Sequence, residues 1–475
     1  MKALRVEKRF DAAEAGLSKL LPLLSCPACS QAAPVPVQKR DNLRCTHCQT
    51  EFPVFSSGSL SVPWLLPYPE NALLDWNARF NSFLQSNLSE QFRLNTALET
   101  GRKGVLARKR LTSLYQAKEG QRAQILSLLE PLGFDLLENS EVACALYGAL
   151  PKIQGLSSYY SNIFRDWAWE NGENEELLGS IERALEYGDR DHLGRVLTLG
   201  AGACRLPYDL HRRHAPELSV AIDINPLLLM LASRVIQGEM VPMYEFPVAP
   251  KNNRSFAVRK TCCAPAPIGG SRGNFHLLFA DALNPPFRRG AFDTVLTPWL
   301  IDIIPQDLKE FLPTLNRVLK KGGIWANTGS LAFFHKDPAR CYSEEEVLEL
   351  VKAAGFEILS SERQTIRYLQ SPHSAHRRSE NVLTFSARKT KNVGPWHHYE
   401  HLPQWILDGD EPIPEHFEFS VASSNHLLSA QVLAAINGKR TIDEIGQLLC
   451  KQYGLEMSEA ENAVRRILIE IYEAG

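Results

Sequence analysis

The chain has no run of about 18 apolar residues, the length that a membrane-crossing helix needs, so no span is expected. Its first ten residues, Met1-Lys-Ala-Leu-Arg-Val-Glu-Lys-Arg-Phe10, are mixed in charge and lack the apolar core of a secretory signal. Neither sign of charge prevails. Fifty-two Lys and Arg against 54 Asp and Glu leave a net charge of −2, so no global field steers the protein to nucleic acid or to a membrane. No internal repeat and no low-complexity tract is present. Cysteine is sparse, 10 in 475 residues, and four of the ten sit in two Cys-x-x-Cys pairs. That distribution excludes a disulfide-stapled scaffold and suits a reduced compartment, with the cytoplasm as the expectation. What is present is the composition of a soluble globular chain, 44% hydrophobic and 22% charged. It is too long for one ordinary core, so several domains are expected.

Four regions separate by pattern. Residues 1–62 hold the cysteine pairs amid Pro, Ser and short extended runs. Residues 63–190 are mostly helical in period, over Ala72–Leu84, Gln121–Leu137, Glu141–Leu150 and Glu175–Tyr187. Residues 191–390 alternate strand-like and helix-like pieces. The strands are expected at Val196–Leu199, Ser219–Asp223, Phe275–Ala280, Thr294–Thr297, Gly323–Thr328, Phe356–Ser360 and Asn381–Ser386. The helices are expected at Leu206–His214, Pro226–Ile236, Gln306–Leu319 and Ser343–Ala354. Such alternation implies an α/β fold with a mainly parallel sheet and a crevice at its carboxyl edge. The stretch 237–274, with several prolines and a Gly269-Gly270 pair, is too long for an ordinary connection and reads as a functional or covering insertion. After a linker near Lys389–Pro403, residues 404–475 read as a small unit. It has a strand-like piece, Phe417–Val421, and helices over Leu427–Ile436, Ile442–Gln452 and Ser458–Tyr472.

Cys26-Pro-Ala-Cys29 and Cys45-Thr-His-Cys48 are separated by 15 residues. Two such turns place four thiolates around one tetrahedral ion, for which zinc is the best fit. Four thiolates leave no open coordination position, so this zinc is expected to be structural. His47 reads as solvent-facing and not as a ligand.

The segment Arg195-Val-Leu-Thr-Leu-Gly-Ala-Gly-Ala-Cys204 is a strand running into a glycine turn, and the next strand ends on Asp223. Glycines there let a nucleotide approach the backbone, and the acid accepts from ribose hydroxyls. A dinucleotide fingerprint would need a third glycine where Arg205 stands, so NAD is disfavoured. Asp281 closes the third strand, where it could accept from an adenine amine. A fourth strand ends at Thr297-Pro298, and Leu319-Lys-Lys-Gly-Gly323 leads into a fifth.

This ordered series resembles the class I S-adenosylmethionine-dependent methyltransferases over residues 155–390. Tyr159-Tyr-Ser-Asn-Ile-Phe-Arg-Asp-Trp167, Thr297-Pro-Trp-Leu-Ile-Asp302 and Asn327-Thr-Gly-Ser-Leu-Ala-Phe-Phe-His335 are similar to segments of the carnosine N-methyltransferase family. The resemblance implies a Rossmann-like sheet and S-adenosylmethionine held by Arg165, Gly200, Gly202, Asp223, Asp281, Ala282 and Thr297. It also implies a histidine imidazole held by Asp302, His335 and Tyr368. Asp302 could instead cap the helix that follows it. Three positions depart from the family pattern: Cys204 stands where glycine is usual, Asn162 where the family tends to have Gln, and Pro298 near the cofactor. Residues 404–475, around Asn437-Gly-Lys-Arg-Thr441, resemble the PqqD-like family, small winged-helix-like α+β domains that grip peptides by strand addition. The substrate would then be an imidazole-containing small molecule or a peptide, with nucleic acid and membrane not expected as partners. Two other readings stand beside the enzyme: a non-catalytic peptide-binding scaffold, and a methyltransferase for RNA or another small molecule.

Overall fold

The computed structural model describes residues 17–37, 41–101, 103–134, 155–188, 192–268, 274–335, 338–394, 412 and 417–474. Two compact units separate, Met1–Trp396 and His397–Gly475.

In the first unit, a small antiparallel sheet runs in order β1 (Pro34–Pro36), β2 (Asn42–Cys45), β3 (Glu51–Ser57), β4 (Leu60–Pro63). Two long helices follow, α1 (Pro69–Glu99) and α2 (Val105–Leu129), where shorter helical runs were expected; the helix expected over Glu141–Leu150 lies outside the described residues. Next come α3 (Tyr160–Trp167) and α4 (Glu173–Glu186), leading into the main sheet.

That sheet is built from β5 (Arg195–Leu199), β6 (Leu218–Asp223), β9 (Phe275–Phe279), β10 (Phe292–Pro298), β11 (Leu319–Gly329), β12 (Phe356–Tyr368) and β13 (Arg378–Lys389). Its order is β12-β13-β11-β10-β5-β6-β9. The first five of these strands in chain order pair in parallel, while β13 runs antiparallel to both β11 and β12. Burial marks the parallel strands: central β10 and edge strand β9 are buried at every residue, as parallel strands covered on both faces must be. The last two strands form a long hairpin, extending well beyond the Phe356–Ser360 and Asn381–Ser386 cores expected from sequence.

The helices between strands are α5 (Arg205–His214), α6 (Pro226–Val235), α7 (Leu308–Val318) and α8 (Glu344–Ala353). Their starts are chemically marked. Asn225 accepts from Leu227 N at 3.0 Å, Asp307 accepts from Lys309 N at 2.9 Å, and Ser343 makes a capping box with Glu346. The insertion forms a hairpin, β7 (Val241–Glu245) with β8 (Val258–Cys262), in register Val241 to Cys262. Its Gly269-Gly270 pair lies outside the described residues.

The second unit consists, among its described residues, of α9 (Phe417–Ala435), α10 (Ile442–Tyr453) and α11 (Met457–Ala474). Val432, Ile445, Leu449, Ala460 and Val464 make its core. Thr441 caps α10 in a capping box with Glu444, as its position in the Asn437–Thr441 turn suggested. The strand expected at Phe417–Val421 is instead the first part of α9. Five alternating residues cannot by themselves distinguish the two periods, and helix propagation supplies a backbone bond per residue without needing a partner strand.

Candidate active site

A cavity of about 230 Å³ opens at the carboxyl ends of the parallel strands. It sits where chain connections leave β5 on one side and β10 on the other, the switch point at which open α/β sheets bind ligands. Among the described residues, none of its lining comes from 237–274.

One end is made by turns directly after strands. Gly200, Gly202 and Asp223 line the cavity, as do Asp281 and Ala282. Gly200 and Gly202 have φ of +63° and +57°, and Cys204 continues the alternation at +67°. The position where glycine is usual thus demands a left-handed backbone, and a buried cysteine meets that demand under strain. A Cβ on Gly202 would meet nothing within 4 Å, so that face of the turn is open to the cavity.

Asp223 does not merely cap α6, since Asn225 does that. Its Oδ2 accepts from Gly202 N at 2.8 Å and its Oδ1 from Asn225 N at 2.9 Å, tying the glycine turn to the end of β6. Burial pushes its carboxyl up to about 6, against the pull of these backbone N–H groups. Asp281 accepts from Leu283 N at 2.9 Å, and burial raises its carboxyl too. Arg165, on α3, also lines the cavity and pairs with Asp166 at 2.7 Å. Burial works against its charge, but Asp166 outweighs that and leaves the guanidinium more firmly protonated.

The other end is assembled from distant segments. Asp302 lies past β10 and is 6% exposed. Its Oδ2 accepts from Ala332 N at 2.9 Å and from Ser330 Oγ at 3.3 Å. Asp302 therefore does not cap α7, a role that Asp307 fills. Tyr368, at the end of β12, stacks against Trp299 with ring centroids 4.5 Å apart, and the Arg378 guanidinium lies 4.9 Å from the Tyr368 ring. Burial raises the Tyr368 hydroxyl, while Arg165 and Arg378 oppose the shift. Glu173 holds the backbone beyond Tyr368 by accepting from Leu369 N at 2.9 Å and Gln370 N at 3.4 Å.

Two expected site residues lie elsewhere. Thr297 is fully buried in the sheet, where its hydroxyl accepts from Trp325 Nε1 at 2.8 Å and hydrogen-bonds the Asn327 amide at 2.8 Å. It is the penultimate residue of β10, and its hydroxyl is engaged inside the sheet while the next residue, Pro298, reaches the lining. His335 is absent from the lining, whereas its neighbour Phe334, 93% exposed, reaches the mouth. The residues that sequence reasoning missed are Trp299, Arg378 and Tyr159, all in the lining. Trp299 follows a strand end, which is a usable signal. Arg378 reaches the site only because the hairpin register sets it opposite Tyr368, and no local pattern announces that.

Two observations fit a bound nucleotide-like cofactor here. One is the open face of Gly202; the other is the Oδ1 of Asn162, buried in the lining with no hydrogen-bond partner among the described residues. The four cysteines also come together. Sγ–Sγ distances are 3.7 Å for Cys26–Cys48 and for Cys29–Cys45, and all four sulfurs lie within 4.8 Å of one another. Zn–S bonds of about 2.3 Å in a tetrahedron require edges near 3.8 Å, so the donor set fits zinc. His47 is exposed, outside the cluster.

The sheet order, with its reversed strand inserted between β11 and β12, and the cavity at its switch point define a class I methyltransferase fold. The carnosine N-methyltransferase family matches residues 144–391, more than half of the chain, and the chain belongs to that family. A carnosine N-methyltransferase of Drosophila melanogaster is 25% identical over 257 residues, 50% of this chain and 56% of the relative. The chain thus matches little more than half the length of that curated relative. Solved structures with partial likeness include a putative methyltransferase from Bacillus halodurans, at 14% identity and TM-score 0.32, covering 45% of this chain and 100% of that one. Another is the Haemonchus contortus phosphoethanolamine N-methyltransferase 2 in complex with S-adenosyl-L-methionine, at 13% identity and TM-score 0.32, covering 50% and 58%.

Proposed function

We propose that the chain is an S-adenosylmethionine-dependent N-methyltransferase that methylates a ring nitrogen of an imidazole-containing small molecule. The observation that carries this reading is Asp302, a nearly buried carboxylate oriented by Ala332 N and Ser330 Oγ in the same cavity as the glycine turn. When bound, the cofactor supplies a methyl group on a sulfonium. Asp223 would accept from the ribose hydroxyls, Asp281 from the adenine amine, and Arg165 would face the carboxylate. At the other end, Asp302 would accept the N–H of the imidazole. That selects the tautomer whose second nitrogen has a free lone pair, and it stabilises the cation that methylation produces. The Trp299 ring, in the same lining, would offer a π face to that cation. Holding the ring in line is the main contribution of the protein.

Zinc held by Cys26, Cys29, Cys45 and Cys48 would be structural. A histidine within a peptide is a second substrate form, suited to a strand-adding C-terminal domain. Among the described residues no helix is long and apolar enough to cross a membrane. The test is incubation of the protein with methyl-labelled S-adenosylmethionine and a panel of imidazole compounds, read by mass spectrometry. Label on an imidazole nitrogen is expected; label on none of them, with the cofactor bound, would sink the substrate assignment.

A further inference from the structure

The zinc cluster and the cavity are joined by one short loop. Asp281 begins the segment Asp281-Ala-Leu-Asn-Pro-Pro-Phe-Arg288, and the chain immediately before Cys26 runs along it. Ser25 N donates to Pro286 O at 2.9 Å, Arg288 N donates to Leu23 O at 2.9 Å, and Leu24 bridges Phe287. Arg288 Nε donates to Leu24 O at 3.1 Å. Inside the first Cys-x-x-Cys turn, the Pro27 carbonyl accepts from Asn284 Nδ2 at 3.3 Å. Asn284 N in turn donates to Asp281 O at 3.1 Å. A second tie comes from beyond β4, where Leu65 N donates to Phe279 O at 2.7 Å, two residues before Asp281.

Packing follows the same route. Cys26, Cys45, Leu24 and Phe52 share one apolar cluster with Ala280, Ala282 and Phe287. The cysteine-bearing sheet therefore has no core of its own separate from the flanks of Asp281. Its strands β1 and β2 are three and four residues long. Strands that short contribute few ladder bonds around the cysteine turns, and a tetrahedral zinc supplies folding free energy directly. The turns carry strain that a bound ion would offset: Ser30 and Gln49, each just after the second cysteine of its pair, have φ of +57° and +62°.

We infer that zinc in the Cys26/Cys29/Cys45/Cys48 cluster positions the Asp281 loop, so that zinc occupancy and cofactor affinity are coupled. Without the ion, residues 23–29 lose their anchor, and the loop must be ordered when the cofactor binds. The coupling is partial, because Arg317 holds the other side of the loop by donating to Pro285 O at 2.8 Å and to Phe287 O. The inference rests on the cofactor site proposed above.

The test uses the full chain loaded with zinc and S-adenosylhomocysteine as the probe. Calorimetry gives its affinity before zinc is withdrawn with a chelator, after withdrawal, and after zinc is restored. A loss of about tenfold that reverses on restoring zinc is expected, within the usual range of coupling between two sites. Reciprocity adds a measurement that needs no metal-free protein: S-adenosylhomocysteine should disfavour zinc transfer to a colorimetric chelator by the same factor. The variant Asn284→Ala removes the strut to the Pro27 carbonyl without touching a thiol, and should lower the coupling about threefold. Zinc transfer indifferent to S-adenosylhomocysteine, or equal affinity with and without zinc, overturns the inference and leaves the cofactor site standing. A zinc-loaded chain that does not bind S-adenosylhomocysteine overturns the cofactor site and the coupling together. A chain that takes up no zinc overturns the coupling alone.

Discussion

The two ends of the cavity are built differently. At the donor end, both acids sit within two residues of a strand terminus and are held by backbone N–H groups: Asp223 by Gly202 and Asn225, Asp281 by Leu283. At the acceptor end, Asp302, Trp299, Tyr368 and Arg378 come from three segments, the turn after β10, the end of β12 and the start of β13, and the rings and Arg378 meet through side chains and the hairpin register. The donor end is a property of local turns repeated along the sheet. The acceptor end is a property of how the edge of the sheet folds over, and small changes there can alter the substrate while the cofactor site stays intact.

The sharpest way to break this contrast is at Asp302. Asp302→Asn keeps the shape but removes the charge that meets the product cation. Turnover is expected to fall by about 10²- to 10³-fold, the typical cost of one lost electrostatic stabiliser. S-adenosylhomocysteine affinity, read by calorimetry, should stay within about twofold if the two ends are independent. A parallel loss of cofactor affinity would show that they are one unit.

Asp223 tests the donor end. Asp223→Asn should weaken S-adenosylmethionine binding by about 2 kcal/mol, the scale of a hydrogen bond to a charged group. Its pH dependence has a definite sign. Burial raises the carboxyl of the empty protein from 3.8 to about 6. Its contribution to the stability of the empty fold is therefore full below 3.8 and lost as pH rises through about 6. The cofactor needs the ionised form, so its affinity should fall as pH drops below about 6. Asp223→Asn should flatten that profile in a calorimetric titration from pH 5 to 8 on this group's account.

A smaller effect is expected at the ring pair. Trp299→Ala removes the face that stacks on Tyr368 and should raise the KM for the imidazole substrate by about fivefold, from roughly 1 kcal/mol of lost ring contact. An unchanged KM would place the imidazole elsewhere in the cavity. Cys204→Gly should have the smallest effect. Relief of a left-handed backbone is worth about 1–2 kcal/mol, and loss of the buried sulfur offsets part of it. A melting temperature a few degrees higher is expected, with cofactor affinity retained. A lower one would show that the packing of the thiol outweighs the strain.

Much of the first unit was legible before folding. The five parallel strands of the main sheet and the four helices between strands fall close to their expected places, because buried parallel strands read as apolar runs and three of the helix starts carry Asn225, Asp307 and Ser343, whereas the last two strands run well past their expected cores. The cysteine pairs and the glycine turn were legible for the same reason, since ligand spacing and positive φ leave a local mark. Thr297 and His335 are close in sequence to the cavity lining but not in it. Thr297 stands one residue before the end of a fully buried strand, and His335 one residue beyond the side chain that reaches the mouth. The short alternation at Phe417–Val421 was ambiguous in period and resolved to helix.

What the sequence by itself determined is therefore the set of local devices: caps, glycine turn, strand-end acids and cysteine turns, each specified within a few residues by backbone geometry. Tertiary structure alone decided that Asp302 is bound by the backbone after β11 and not by a helix, and that Arg378 lies over Tyr368. It alone set the cysteine turns against the Asp281 loop. These arrangements depend on strand register and on a shared apolar core between segments more than two hundred residues apart, and no local pattern encodes either.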